Sequence, residues 1–277
     1  MKAQKCLIAS LASTIALVIH AAPTLAASFY SVDTRTDQLV AINSNSGNVR
    51  VIGNVGFHAS DLDLAFLGDT LYGVAGSYLG NWALYEFNTI TGAASLVANL
   101  PTSVRLAEGL TSQNGNLIVG FNTTGSVWSD TLAELSLSGA LANITAFSSA
   151  SVYPADTDGL TTSPTNQLYA VDYQPDRTNF SFTPGSTVPF GGYVSPNGLN
   201  DLAFVGNELF GISNSSPVLA IVNSADGGVI QELTLDRPGT YLGLASSAAV
   251  PEPSTMLGSL AIVALATRLK RRKAKAN

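Results

Sequence analysis

The chain has 277 residues and a formal charge of −6, but the charge is unevenly divided: every lysine lies in the first five or the last eight residues. Residues 28–250 carry five arginines against 18 Asp and Glu, a net charge of about −13. Such a body excludes nucleic-acid binding, which needs Lys and Arg to displace counterions, and it repels anionic lipid and acidic polysaccharide unless divalent cations bridge the two.

At the N-terminus, Lys2 and Lys5 form a positive n-region and Cys6 to Ile19 an apolar h-region. "HAAPTLAAS" then offers small residues for cleavage between Ala26 and Ala27. The pattern predicts a signal helix over 1–26, removed by signal peptidase during export. Cys6 is the single cysteine and leaves with it, so no disulfide, thiol nucleophile or thiolate metal site is expected in the body.

Residues 28–248 read as one all-β domain. Helical periodicity is nearly absent; short apolar or alternating runs rich in Val, Leu, Phe, Tyr and Thr are broken by Gly, Asn, Ser and Pro. The runs repeat. "LDLAFLGDTLYGV" at 62–74 is echoed by "NDLAFVGNELFGI" at 200–212, and "EGLTSQNGNLIVG" at 108–120 by "DGLTTSPTNQLYAV" at 158–171. Shared leucines fall at Leu64, Leu110, Leu160, Leu202 and Leu244, spaced 46, 50, 42 and 42 residues apart. A second half-unit, such as "LYEFNTITGAASLVANL", recurs as strand, turn, strand, with Gly47, Gly92, Gly139 and Gly227 at the turns. Each unit is then four antiparallel strands, the blade of a β-propeller. "SFYSVD" at 28–33 lacks a preceding first strand, and "LGLASSA" at 242–248 lacks a following second one. The expectation is five four-stranded blades, one of them closed by both ends of the body. The unit from 158 to 200 is the least regular, its prolines predicting a long loop.

Acids gather at the first strand of the units, the candidate innermost strands: Asp61, Asp63, Glu108, Asp156, Asp158 and Asp201. Turned inward, Asp63, Glu108, Asp158 and Asp201 would form a ring of hard oxygens suited to Ca²⁺, the one candidate cofactor. The competing reading is structural, each Asp accepting hydrogen bonds from a nearby turn and fixing the start of its strand. "DTDG" at 156–159 resembles the start of a Ca²⁺ loop but lacks the rest of that pattern. His58 is the last histidine left to the body, so a Ser-His-Asp triad would have to use it, beside Ser60 and Asp61. Trp82 and Trp128, with Tyr78 and Tyr85, are candidates either for stacking on sugars or for packing between blades.

The chain ends "VPEPSTMLGSLAIVALATRLKRRKAKAN". Met256 to Thr267 carries no charge, and from Ser254 to Leu269 a helix would reach about 24 Å, short of a hydrocarbon core of about 30 Å. Arg268, Lys270, Arg271, Arg272 and Lys273 follow and would stay cytoplasmic, leaving the body outside. Residues 249–277 resemble the PEP-CTERM sorting signal of bacterial envelope proteins: a Pro-Glu-Pro motif (Pro251, Glu252, Pro253), a short transmembrane helix and a basic tail. The tail departs from the family in mixing Lys with Arg. The resemblance implies an exosortase-type processing enzyme as partner, in a bacterium that makes exopolysaccharide. It gives an address rather than an activity.

Together these readings predict an exported surface or extracellular-matrix protein with a non-catalytic propeller as scaffold or binding body. The alternatives are a Ca²⁺- or glycan-binding module, with exopolysaccharide among its candidate partners, and a glycan-active hydrolase or lactonase using the inner-strand carboxylates.

Overall fold

The computed structural model describes residues 28–58, 60–77, 80–123, 130–146, 158–171, 180–183, 186–189 and 198–247. The predicted signal helix, the sorting signal with Pro251 to Pro253, and the basic residues from Arg268 onward lie outside them. None of the described residues is helical, so none belongs to a helix able to cross a membrane.

Among the described residues twenty strands follow one another, mostly in short antiparallel hairpins. The first three are β1 (Ser28–Asp33), β2 (Gln38–Asn43) and β3 (Val49–Asn54). Next come β4 (Asp61–Leu67), β5 (Thr70–Ser77), β6 (Gly80–Phe87) and β7 (Ala94–Asn99) as one sheet. The third group is β8 (Val104–Gln113), β9 (Asn116–Thr123), β10 (Asp130–Leu135) and β11 (Leu141–Ala146). The fourth is β12 (Gly159–Thr162), β13 (Leu168–Val171), β14 (Phe180–Thr183) and β15 (Ser186–Pro189). The last full group is β16 (Asp201–Val205), β17 (Glu208–Ile212), β18 (Val218–Val222) and β19 (Val229–Thr234). β20 (Tyr241–Ser246) then crosses back and pairs with β1, giving a fifth four-stranded sheet in the order β20-β1-β2-β3.

The repeat leucines all lie on the first strand of a sheet. These strands, β4, β8, β12, β16 and β20, pack each against the next, and β20 packs against β4. The series of sheets therefore closes around an axis. This is a β-propeller.

Burial explains why each sheet needs its neighbours. The second strands are mostly apolar at their centres, as in "LIVGF" of β9, and are buried on both faces. Outermost strands such as β7 and β19 have no fully buried residue and are largely open to solvent. Five apolar clusters fill the gaps, each drawn from two consecutive sheets: Trp82 with Leu110 and Phe121, Leu64 with Tyr30 and Leu39, Phe29 with Phe210 and Tyr241, Leu132 with Leu160, and Tyr169 with Leu202. A single sheet would leave both faces wet, whereas the closed series leaves neither.

Two local devices tie the sheets together. Gly92 sits at φ 81° in the turn before β7, and a methyl built on it would lie 2.5 Å from the Gly53 backbone. The outer hairpin of one sheet thus rests on the outer strand of the sheet before it, an approach only glycine permits. Where β20 meets β1, the buried Asp33 carboxylate accepts bonds from Thr36 Oγ1 (2.9 Å) and the Thr240 amide (3.3 Å), with Arg237 at 3.7 Å. The Tyr241 hydroxyl beside them donates to Arg237 O at 2.7 Å, and burial pushes its pKa up to about 12.

Candidate functional site

The axis is where five sheets bring repeated residues together, and the repeat leucines fix what lies there. The residue just before each is Asp63, Gly109, Gly159, Asp201 and Gly243 in turn. Asp63 and Asp201 are 0% and 1% exposed. Asp63 Oδ1 accepts the Leu64 amide at 2.6 Å, its Oδ2 accepts the Leu110 amide, and the Leu160 amide also bonds to it. Asp201 Oδ1 accepts the Leu202 amide at 2.6 Å, and its Oδ2 accepts the Leu244 amide. The two carboxyls bond to each other. One pair of side chains thus gathers the amides of all five repeat leucines, one from every innermost strand.

This clamp needs a shared proton. Two adjacent carboxylates, both out of water, do not ionise together at neutral pH. Burial pushes the Asp63 carboxyl up to about 7, against the bonds from Asp201 and the three amides. Asp201 is held well above the ordinary carboxylate value, by burial first and by the neighbouring Asp63 charge second. Folded-state values above the unfolded one mean that the folded chain binds more protons. The pair's contribution is fully present below about pH 4 and is lost as pH rises through the folded values. Urea midpoints measured with EDTA present are therefore expected to fall from about pH 5 to about pH 8. Asp63→Asn, which cannot ionise, is expected to flatten that slope; an unchanged slope would mean that no proton is shared.

The clamp divides the axial channel into two unlike mouths. On the side where the innermost strands end, a cavity of about 100 Å³ is lined by hydroxyl groups, among them Thr111, Thr161, Thr162 and Ser246, together with alanines, leucines and phenylalanines. Thr111 Oγ1 and Thr162 Oγ1 meet there at 3.2 Å, across β8 and β12. On the side where those strands begin, a cavity of about 70 Å³ is lined by Asp61, Leu62, Asp158, Asn200, Asn214 and Leu242. Burial raises the Asp61 carboxyl, with the Ser60 side chain acting in the opposite sense.

Of the four acids expected to share a metal, Asp63 and Asp201 fall in the clamp and Asp158 at one mouth. Asp63 and Asp201 present their oxygens to N–H donors, which a cation would have to displace. Asp158 lies at the mouth. Glu108 falls in β8 at the register of Asp158, and its side chain is outside the described residues, as is Asp156. Among the described residues no three acids or histidines stand close enough to hold a metal together. The structural reading of the acids fits Asp63 and Asp201, though their donors are strand amides rather than turns.

The remaining candidates separate as well. His58 Nδ1 faces Asp37 Oδ1 at 3.0 Å with its ring mostly in solvent, while Ser60 Oγ donates to Gly76 O at 3.0 Å. His58 is thus paired with Asp37 while Ser60 bonds to the β5 backbone, so the residues adjacent in sequence are not aligned as Ser-His-Asp. Trp82 is buried, its Nε1 donating to Arg105 O at 2.7 Å and its ring lying against Gly76, so it packs between sheets. Tyr85 stacks on Phe57 with ring centroids 4.6 Å apart. Trp128 and Tyr78 lie outside the described residues.

No family model matches the chain, and no curated protein matches it in sequence. Solved structures do resemble it. A chain of a nidogen–laminin complex is similar at a TM-score of 0.54 and 11% identity, covering 82% of this chain and 99% of that one. The likeness shows a shared fold. A protein of unknown function from Bacteroides caccae (TM-score 0.46, 10% identity, 75% and 73% covered) is also similar. So is a putative 6-phosphogluconolactonase from Bacteroides uniformis (0.41, 18%, 76% and 68%).

Proposed function

We propose that the chain is an exported bacterial envelope or matrix protein whose body is a non-catalytic propeller of five blades, one completed by both ends of the body. The sorting signal at 249–277 delivers it. A signal peptidase and an exosortase-type enzyme process its two ends, and Pro251, Glu252 and Pro253 mark the second cut. The bases from Arg268 to Lys273 hold the tail inside during that step.

The observation that carries the non-catalytic reading is the axial clamp. In a glycoside hydrolase, one carboxyl must reach the leaving group and another must reach water or the anomeric carbon. Asp63 and Asp201 are the two acids that touch each other at the axis, and their oxygens are engaged by five backbone amides and by each other. Buried acids bound in that way serve to join blades.

The sorting reading is tested by the intact mass and C-terminal peptide map of the protein recovered from its native cells. A C-terminus between Pro251 and Pro253, with the basic tail gone, is the expected result. A C-terminus at Asn277 in the mature protein would overturn processing, leaving a body tethered by an ordinary anchor.

A further inference from the structure

We propose that the acid-lined mouth of the axial channel binds one calcium ion on the side-chain oxygens of Asp61, Asp158 and Asn200, with Asn214 beside them. The site shares only Asp158 with the four-acid ring expected from sequence, and it does not depend on the sorting reading.

Three observations carry it. Asp61 and Asp158 reach one small cavity from the starts of different sheets, and among the described residues no Lys, Arg or His lines it. The body's net charge of about −13 offers little compensation from elsewhere. The third observation is independent of the acids. Asn200 is 4% exposed and lines the same cavity, yet its Oδ1 accepts no hydrogen bond. Buried acceptors of this kind nearly always have a partner, so one without calls for an explanation. A hard cation would use that oxygen directly.

The donor set favours calcium over magnesium. Carboxylate and amide oxygens held by separate strands suit the six to eight flexible positions of Ca²⁺ at about 2.3–2.6 Å, with water completing the shell. Mg²⁺ demands a tighter octahedron and gives up its waters reluctantly. The position of Asn200 also stands out within the repeat. Two residues before the repeat leucine, β4 carries Leu62 and the β20 segment carries Leu242, whereas the β16 segment carries Asn200 and the β12 segment Asp158. The layer is apolar on one side and oxygen-bearing on the other.

The test is calorimetric titration of the full chain, stripped with EDTA, first with CaCl₂ and then with MgCl₂. One saturable Ca²⁺ site per chain is expected, with a dissociation constant of roughly 0.1–1 mM, as in extracellular modules. Asp158→Asn and Asp61→Asn are each expected to weaken it about tenfold or more. Asn200→Leu copies the side chain found in β4 and before β20, and should fold while losing the ion; circular dichroism checks the fold. Asn214→Ala gives a milder loss should an acid variant fail to fold. Absence of saturable binding in the wild-type chain up to about 10 mM Ca²⁺ would overturn the proposal without recourse to any variant. Binding left intact by Asn200→Leu and Asp158→Asn would overturn it too, placing the ion elsewhere on the acidic surface.

Discussion

Replacing Asp63 by alanine is expected to destabilise the chain by about 3–5 kcal/mol, enough to abolish folding in a domain of ordinary stability. The change removes the acceptor of three buried amides, those of Leu64, Leu110 and Leu160. Each amide left without a partner costs about 1–3 kcal/mol. It also strands Asp201, whose carboxyl loses the group with which it shares a proton. Urea denaturation followed by circular dichroism measures the effect, read as a fall in midpoint or as loss of the native spectrum. Asp63→Asn keeps a carbonyl oxygen and the same shape, so it should cost clearly less. An alanine variant within about 1 kcal/mol of wild type would mean that water replaces the carboxyl, and the clamp would then not join the blades.

Gly159→Ala is the second large effect, and it acts on the same clamp from the opposite side. A methyl built there would stand 2.4 Å from Asp201 Oδ1, 2.6 Å from Asp201 Cα and 2.8 Å from Asn200 O. Two of those atoms are backbone of the adjoining innermost strand and yield only if β12 and β16 move apart. A loss of about 2–3 kcal/mol is expected, typical of overpacking in a closed core. Gly228→Ala is the control: the nearest neighbour of its methyl is the Asp226 carboxyl oxygen at 3.1 Å, the end of a side chain that can swing away. It should stay within about 0.5 kcal/mol of wild type. Equal losses at both positions would mean that alanine is tolerated or resisted for reasons unrelated to the axis.

Gly159 and Asp201 also show how far the axis can be read from sequence. The repeat leucines and the half-units identify the first strand of each sheet, because a four-strand unit must place one strand innermost. The acids there were legible as a set but not as two layers. Asp63 and Asp201 stand one position before the leucine, while Glu108 and Asp158 stand two before it and Asp61 three. One residue along a strand is about 3.3 Å, which separates the clamp from the mouth. The alternation of Asp63, Gly109, Gly159, Asp201 and Gly243 was present in the letters as well. Its meaning required knowing that the chain closes, since two carboxyls can serve five amides only if the other three strands leave them room. Asn200 gave no signal at all, because an asparagine before a strand ordinarily reads as a turn residue. The Pro-rich stretch after Val171 read as loop, yet it contains the β14–β15 hairpin. Pro189 is tolerated at the end of that outermost strand, where no neighbour needs its missing N–H.

The pairing of β20 with β1 has a consequence for the order in which the molecule becomes itself. Phe29 lies opposite Ser246, more than two hundred residues later. A chain emerging from the ribosome, or threading through a translocon, can complete the hairpins of β4 to β7 as soon as they appear. It cannot complete the sheet that begins it, nor supply the Leu244 amide that Asp201 awaits, until the final strand of the body has come through. Contacts this distant in sequence are slow to form. Until they form, β1 presents a bare edge and the apolar faces around Phe29 and Leu64 stay uncovered. The molecule stays exposed to misassembly, or to capture by a holdase, until its last strand arrives.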